Sequence, residues 1–117
     1  MPPVDLLERT RLFALAVLHF VRTLPDTSEA REAGGQLRRA ANAVRSNYRS
    51  ARKGRSRAEF AAKLGTAREE ADECLDWLEY LRDAAIGHDA ALIREADELT
   101  RIMSTAARTA RAPTLRR

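Results

Sequence analysis

Between Pro25 and Pro113 the chain carries no proline. A span of that length, in which no residue lacks its backbone N–H, permits long helices. Within it, apolar residues recur at alternating intervals of three and four. Leu37, Ala41, Val44, Tyr48 and Ala51 form one stripe, and Phe60, Leu64, Ala67, Ala71, Cys74, Leu78 and Leu81 form a second. Leu92, Ala96, Leu99, Met103, Ala106 and Ala110 form a third, and upstream of Pro25 the residues Phe13, Val17, Phe20 and Leu24 repeat the pattern. This is the period of bundle helices packed near +20°, and no strand-type alternation competes with it.

Local punctuation divides the chain into four helices, expected at Leu6 to Leu24, Glu29 to Lys53, Arg57 to Ala85 and Ala90 to Ala110. Ser56 followed by Glu59 fits a capping box, with the hydroxyl taking the Glu59 N–H and the carboxylate returning to the cap. Asp26 with Glu29 offers a similar start for the second helix, and Asp89 for the fourth. Gly87 suits the left-handed position that closes the third. Short connections favour neighbours that run up-down-up-down, so the fold class expected is all-α, an antiparallel four-helix bundle. Its domain spans 1–112, followed by a basic tail at 113–117.

At 117 residues the chain is one domain able to hold a modest core without disulfides or a structural metal. Its single cysteine, Cys74, excludes an intrachain disulfide framework and points to a reducing, cytoplasmic setting. Asp5 and Glu8 stand where a secretory leader would be basic and then apolar, and no run is long enough to span a membrane.

Two surfaces remain after the bundle is assembled. The segment from Leu12 to Val21 is apolar on every side except at His19. Its outward residues Leu12, Leu15 and Leu18, with Trp77 and Tyr80 off the third stripe and Ile102 off the fourth, predict self-association. A wide core with shifted registers is the alternative. Charge is also uneven: from Ser28 to Arg57 nine basic residues face two acids, whereas from Ala58 to Ala84 eight acids face three bases. These helices either offset one another in surface ion pairs or present separate charged faces. Arg45, Arg49, Arg52, Lys53 and Arg55 form the sharper feature, a run without an acid that leads into Gly54. Arginine suits phosphate because its planar fork donates two parallel hydrogen bonds.

Catalytic constellations are missing. A carboxylate-bridged di-metal bundle needs Glu-x-x-His pairs, yet Ala16 and Ala85 stand three residues before His19 and His88. Glu69, Glu73 and Asp76 share an outer helix face, where solvated carboxylates are poor acid–base groups. Cys74 falls on a core stripe and reads as a packed small hydrophobe. Gly34-Gly35 lacks the lysine and hydroxyl of a phosphate loop. Gly65, inside the third helix, either permits close backbone approach or is tolerated at a cost of about 1 kcal/mol. No catalytic activity, metal or cofactor is expected.

Several segments resemble the bacterial four-helix family encoded in intervening sequences of 23S ribosomal RNA genes. They are Glu8-Arg9-Thr10 with Phe13-Ala14, Leu24-Pro25, Gln36-Leu37-Arg38-Arg39-Ala40, Asn47-Tyr48-Arg49, and Arg55-Ser56-Arg57-Ala58-Glu59-Phe60 with Lys63-Leu64-Gly65. Glu69-Glu70-Ala71-Asp72-Glu73, Trp77-Leu78-Glu79 and Glu98-Leu99 continue the likeness. The resemblance implies an up-down bundle assembled as a homopentamer without known catalysis. That family is similar to the accessory proteins of diversity-generating retroelements, basic pentamers that bind nucleic acid and a reverse transcriptase. Family members often carry serine at the place of Ala43 and small residues at Arg45 and Ser46, so the surface of the second helix differs here. The expected partners are therefore other copies of the chain, RNA or DNA, and a nucleic-acid enzyme such as a reverse transcriptase. A self-assembling or protein-docking scaffold is the alternative.

Overall fold

The computed structural model describes residues 5–112, and the expected tail at 113–117 lies outside the described residues. These residues form four helices and no strand: α1 (Leu6–Arg22), α2 (Ser28–Arg52), α3 (Arg57–Asp83) and α4 (Ala90–Arg111). Every boundary falls within two residues of its expected place. The fold is a four-helix bundle in which each helix packs along the next, while α1 meets α4 over a shorter stretch. No helix among the described residues is long and apolar enough to cross a membrane.

Side-chain caps set the helix starts. Asp5 accepts the Glu8 N–H at 3.2 Å, and Asp89 accepts the Leu92 N–H at 3.0 Å. At α3 the Ser56 hydroxyl accepts the Glu59 N–H at 3.0 Å, but the Glu59 carboxylate takes the Arg55 N–H at 2.7 Å instead of returning to Ser56. The cap of α2 is Thr27, which accepts the Ala30 N–H at 3.2 Å; the expected cap, Asp26, instead pairs with Arg31. α1 stops at Arg22 because Pro25 disfavours helical backbone at Leu24. The Thr23 N–H and hydroxyl both donate to the Phe20 carbonyl, at 2.9 and 2.6 Å.

α3 closes differently from expectation. The left-handed residue is Ala85, at φ 58°, and no described glycine has positive φ. Its N–H donates to the Arg82 carbonyl at 3.0 Å and the Ile86 N–H to Leu81 at 2.9 Å, which satisfies the last carbonyls of the helix. Gly87 meets a packing constraint instead: a Cβ there would lie 2.4 Å from Cδ2 of Leu24 and 3.3 Å from Cζ of Phe20.

The core lies along the expected stripes. Val17, Leu37, Val44, Leu64, Leu81, Leu99 and Met103 are fully buried, with small residues such as Ala41, Ala67, Ala71 and Ala96 between them. Burying each large aliphatic side chain is worth about 1.5–3 kcal/mol. Two stripes shift by one position: Ala107 is buried where Ala106 was expected, and Ala61 where Phe60 was, leaving Ala106 and Phe60 packed at the margin. Thr10 is the buried polar residue that the stripe did not include, and its hydroxyl donates to the Leu6 carbonyl at 2.7 Å. Ile102, expected outside, packs against the core.

Polar ties join distant segments. Arg9 of α1 forks onto Glu95 at 2.7 Å and reaches Glu98 at 2.6 Å, both on α4. Arg57 donates to the carbonyls of Thr109 and Ala112, at 3.4 and 3.0 Å, which brings the end of α4 beside the start of α3.

Two substitutions test the backbone assignments. At Gly65 the nearest neighbour of an added Cβ is Nη1 of Arg111 at 3.9 Å, so no close approach requires glycine. Gly65→Ala should raise unfolding stability by about 0.8–1 kcal/mol in urea titrations. Ala85→Gly should raise it by about 0.5–1 kcal/mol, since the strain of an L-residue at positive φ outweighs the added chain entropy.

Candidate interaction surfaces

Arg45, Arg49 and Arg52 follow one another at intervals of four and three, which aligns them on one stripe of α2. All three are exposed, as are Lys53 and Arg55. Arg45 donates through Nε to Asn42 at 3.2 Å. Among the described residues no side chain of the five forms an ion pair, although the Glu59 carboxylate accepts the Arg55 backbone N–H, and no ion pair joins an α2 base to an α3 acid. The two charged helices therefore present separate faces instead of offsetting one another.

The fold divides the five residues. Arg45 and Arg49 line the groove between α1 and α2. One part, a cavity of about 370 Å³, is bounded by Arg11, Ala14, Leu15, Leu18, Asn42 and Arg45. The next, of about 220 Å³, is bounded by Asp5, Leu7, Glu8, Arg11, Arg45 and Arg49. Arg52, Lys53 and Arg55 sit instead at the α2–α3 turn. A second basic surface lies elsewhere, where Arg68, Arg108 and Arg111 line a groove between α3 and α4.

The apolar residues left over by the sequence pattern separate as well. Leu12 is 51% exposed, Leu15 39% and Tyr80 54%, whereas Leu18 and Trp77 are half-buried. Trp77 packs on the core margin, stands edge-on to Tyr80 with ring centroids 5.5 Å apart, and donates its indole N–H to Glu73 at 3.3 Å. Leu7, 41% exposed, belongs with this group and was missed. Its spacing of eight and eleven residues from Leu15 and Leu18, two and three helical turns, was the available signal.

On α3 the carboxylates of Glu69, Asp72, Glu73 and Asp76 are exposed along one face. Neighbouring Glu70 has its pKa raised, first by burial and then by the charges of Glu73 and Glu69. Like charge is therefore crowded there.

A known family accounts for this architecture. The model of the 23S rRNA-intervening sequence proteins matches residues 4–105. The chain belongs to that family. A solved structure of a protein of unknown function from Bacteroides thetaiotaomicron VPI-5482, assigned to the S23 ribosomal protein family, shares the fold. It is 22% identical, covers 87% of this chain and 94% of its own, and superposes with a TM-score of 0.79. No protein of curated function matches the chain.

Cys74 is fully buried among these helices, and burial, followed by the charges of Glu70 and Glu73, pushes its thiol far up. Only the thiolate reacts readily. A thiol-specific disulfide reagent at pH 8 should leave the folded protein unmodified over minutes and label one group per chain in denaturant. Rapid labelling of the native protein would show that the α3 seam opens.

Proposed function

We propose that this family member is a non-enzymatic, self-associating antiparallel up-down-up-down bundle, assembled as a homopentamer, whose α2–α3 turn contacts nucleic-acid phosphates. The connectors 23–27, 53–56 and 84–89 support the antiparallel order, because each is too short to carry the chain back along a full helix. One observation carries the phosphate reading. Arg52, Lys53 and Arg55 are exposed together at the turn, and none of their side chains forms an ion pair among the described residues, the neighbouring Glu59 carboxylate being held by the Arg55 N–H at 2.7 Å. A cluster of cationic side chains without ion-pair partners favours a polyanion, and the guanidinium groups add directed hydrogen bonds to phosphate oxygens.

Backbone contact without sequence preference is the form expected, because the aromatic residues flanking the turn are engaged in packing: Tyr48 is buried at 7% exposure and Phe60 packs against the core margin. Self-association draws its support from the exposed leucines of α1, which solvent leaves without packing partners.

Binding to labelled RNA and DNA of unrelated sequence, measured over a salt series, tests the phosphate reading. The logarithm of affinity should fall with that of salt at about −0.7 per contacted phosphate for single strands and −0.9 for duplex DNA. Changing Arg52, Lys53 and Arg55 together to glutamine should weaken binding to every sequence alike and flatten the slope, with helicity unchanged. If the unaltered protein shows no salt-sensitive binding near physiological ionic strength, the scaffold reading takes its place. Light scattering should report about five times the 13.1 kDa protomer mass. A stable monomer at micromolar concentration would remove self-association from the proposal.

A further inference from the structure

We propose that the groove between α1 and α2 seats the acidic, aromatic face of α3 from a second copy of the chain. The inference rests on the self-association proposed above and names the surfaces that meet. The groove pairs exposed apolar side chains, Leu7 and Leu15, with the guanidinium groups of Arg11, Arg45 and Arg49; of the two acids at its end, Asp5 caps α1 and Glu8 faces Arg11, so Arg45 and Arg49 keep the groove's middle cationic. The α3 face has the complementary makeup. Glu69, Glu73 and Asp76 are exposed beside the half-buried Trp77 and the exposed Tyr80.

Neither surface is satisfied within the protomer. Among the described residues Arg45 has only the Asn42 side chain as a partner, and the contact of Arg11 with Glu8 is long at 3.4 Å. On α3, Arg68 reaches Glu69 only at 3.8 Å, and Glu73 is engaged by the neutral Trp77 indole. Arginines set against carboxylates orient the approach, and leucines against aromatic rings supply the apolar burial that a stable contact needs.

A phosphate backbone fits this groove less well. It would gain nothing from leucines, which offer neither charge nor a stacking face, whereas an amphipathic helix uses both halves of the surface. Arg45 and Arg49 thereby serve assembly, and the turn residues Arg52, Lys53 and Arg55 remain for phosphate. With each protomer offering its groove to one neighbour and its α3 face to another, the contact is head-to-tail. Repetition then closes a ring or extends a filament, and does not stop at a two-fold dimer.

Charge exchange tests the pairing in the full-length chain. Two double variants, Arg45→Glu with Arg49→Glu and Glu73→Lys with Asp76→Lys, alter exposed side chains, and circular dichroism should report unchanged helicity. Each alone should shift the particle toward monomer in sedimentation, with the dissociation constant raised more than tenfold. The chain carrying all four changes should recover the wild-type size, and an equimolar mixture of the two double variants should co-assemble.

Retention of wild-type size by both double variants would overturn the pairing while leaving self-association intact. So would a four-fold variant that folds yet stays dissociated. A wild-type protein that is monomeric throughout would overturn self-association and this pairing together. If the groove variant assembles normally but loses RNA binding, the groove belongs to nucleic acid and the pairing is wrong. Should a reversal lower helicity, Arg45→Ala with Arg49→Ala replaces it, and unchanged association of that folded variant counts against the pairing.

Discussion

The structure depends on burying one apolar stripe from each helix against its neighbours in a common core. Most of the stability of helices in such a fold comes from packing an amphipathic face and little from intrinsic propensity. Leu37, Val44, Leu64, Leu81, Leu99 and Met103 are removed from solvent, and the alanines between them allow the helices to approach closely. Once those side chains are inside, the rotation of each helix is set. The direction of every arginine and carboxylate follows from that rotation.

α1 is the exception to a one-sided pattern. Its inner stripe, Phe13, Val17 and Phe20, is buried, yet Leu7, Leu12 and Leu15 remain on the outside. The Arg9 fork onto Glu95 and Glu98 ties this helix to α4, and the half-buried setting keeps the pair from being fully screened by solvent. The outer leucines receive no such partner within the protomer. This is why the proposed assembly centres on the α1 side of the bundle, and why the charge beside it, on Arg45 and Arg49, matters more than charge elsewhere.

Helix starts at Ser56 and Asp89 were legible because a single capping side chain precedes a periodic run. At α2 two adjacent candidates compete. Thr27 takes the role because Asp26 is drawn to Arg31, a choice that propensity leaves open. The end of α3 was misread for a related reason. Glycine is the usual left-handed residue, but Ala85 occupies that position, where its N–H and that of Ile86 close the last carbonyls of α3, and Gly87 instead lies where a side chain would meet Leu24 and Phe20.

By itself the amino-acid sequence determined that the chain is all-α, where its four helices run and which stripe of each is buried, because helical periodicity is a local property read one turn at a time. It also marked the acid-free arginine run and the surplus of apolar residues on the first helix. Only the tertiary structure decided that Arg45 and Arg49 share a groove with Leu7, Leu15 and Arg11 while Arg52, Lys53 and Arg55 stay at the turn. It alone decided, too, that Trp77 is half-buried while Tyr80, edge-on to it, stays exposed. Those outcomes depend on the rotation and neighbours of each helix, which are set by packing between segments distant along the chain and are not encoded in the spacing within any one of them.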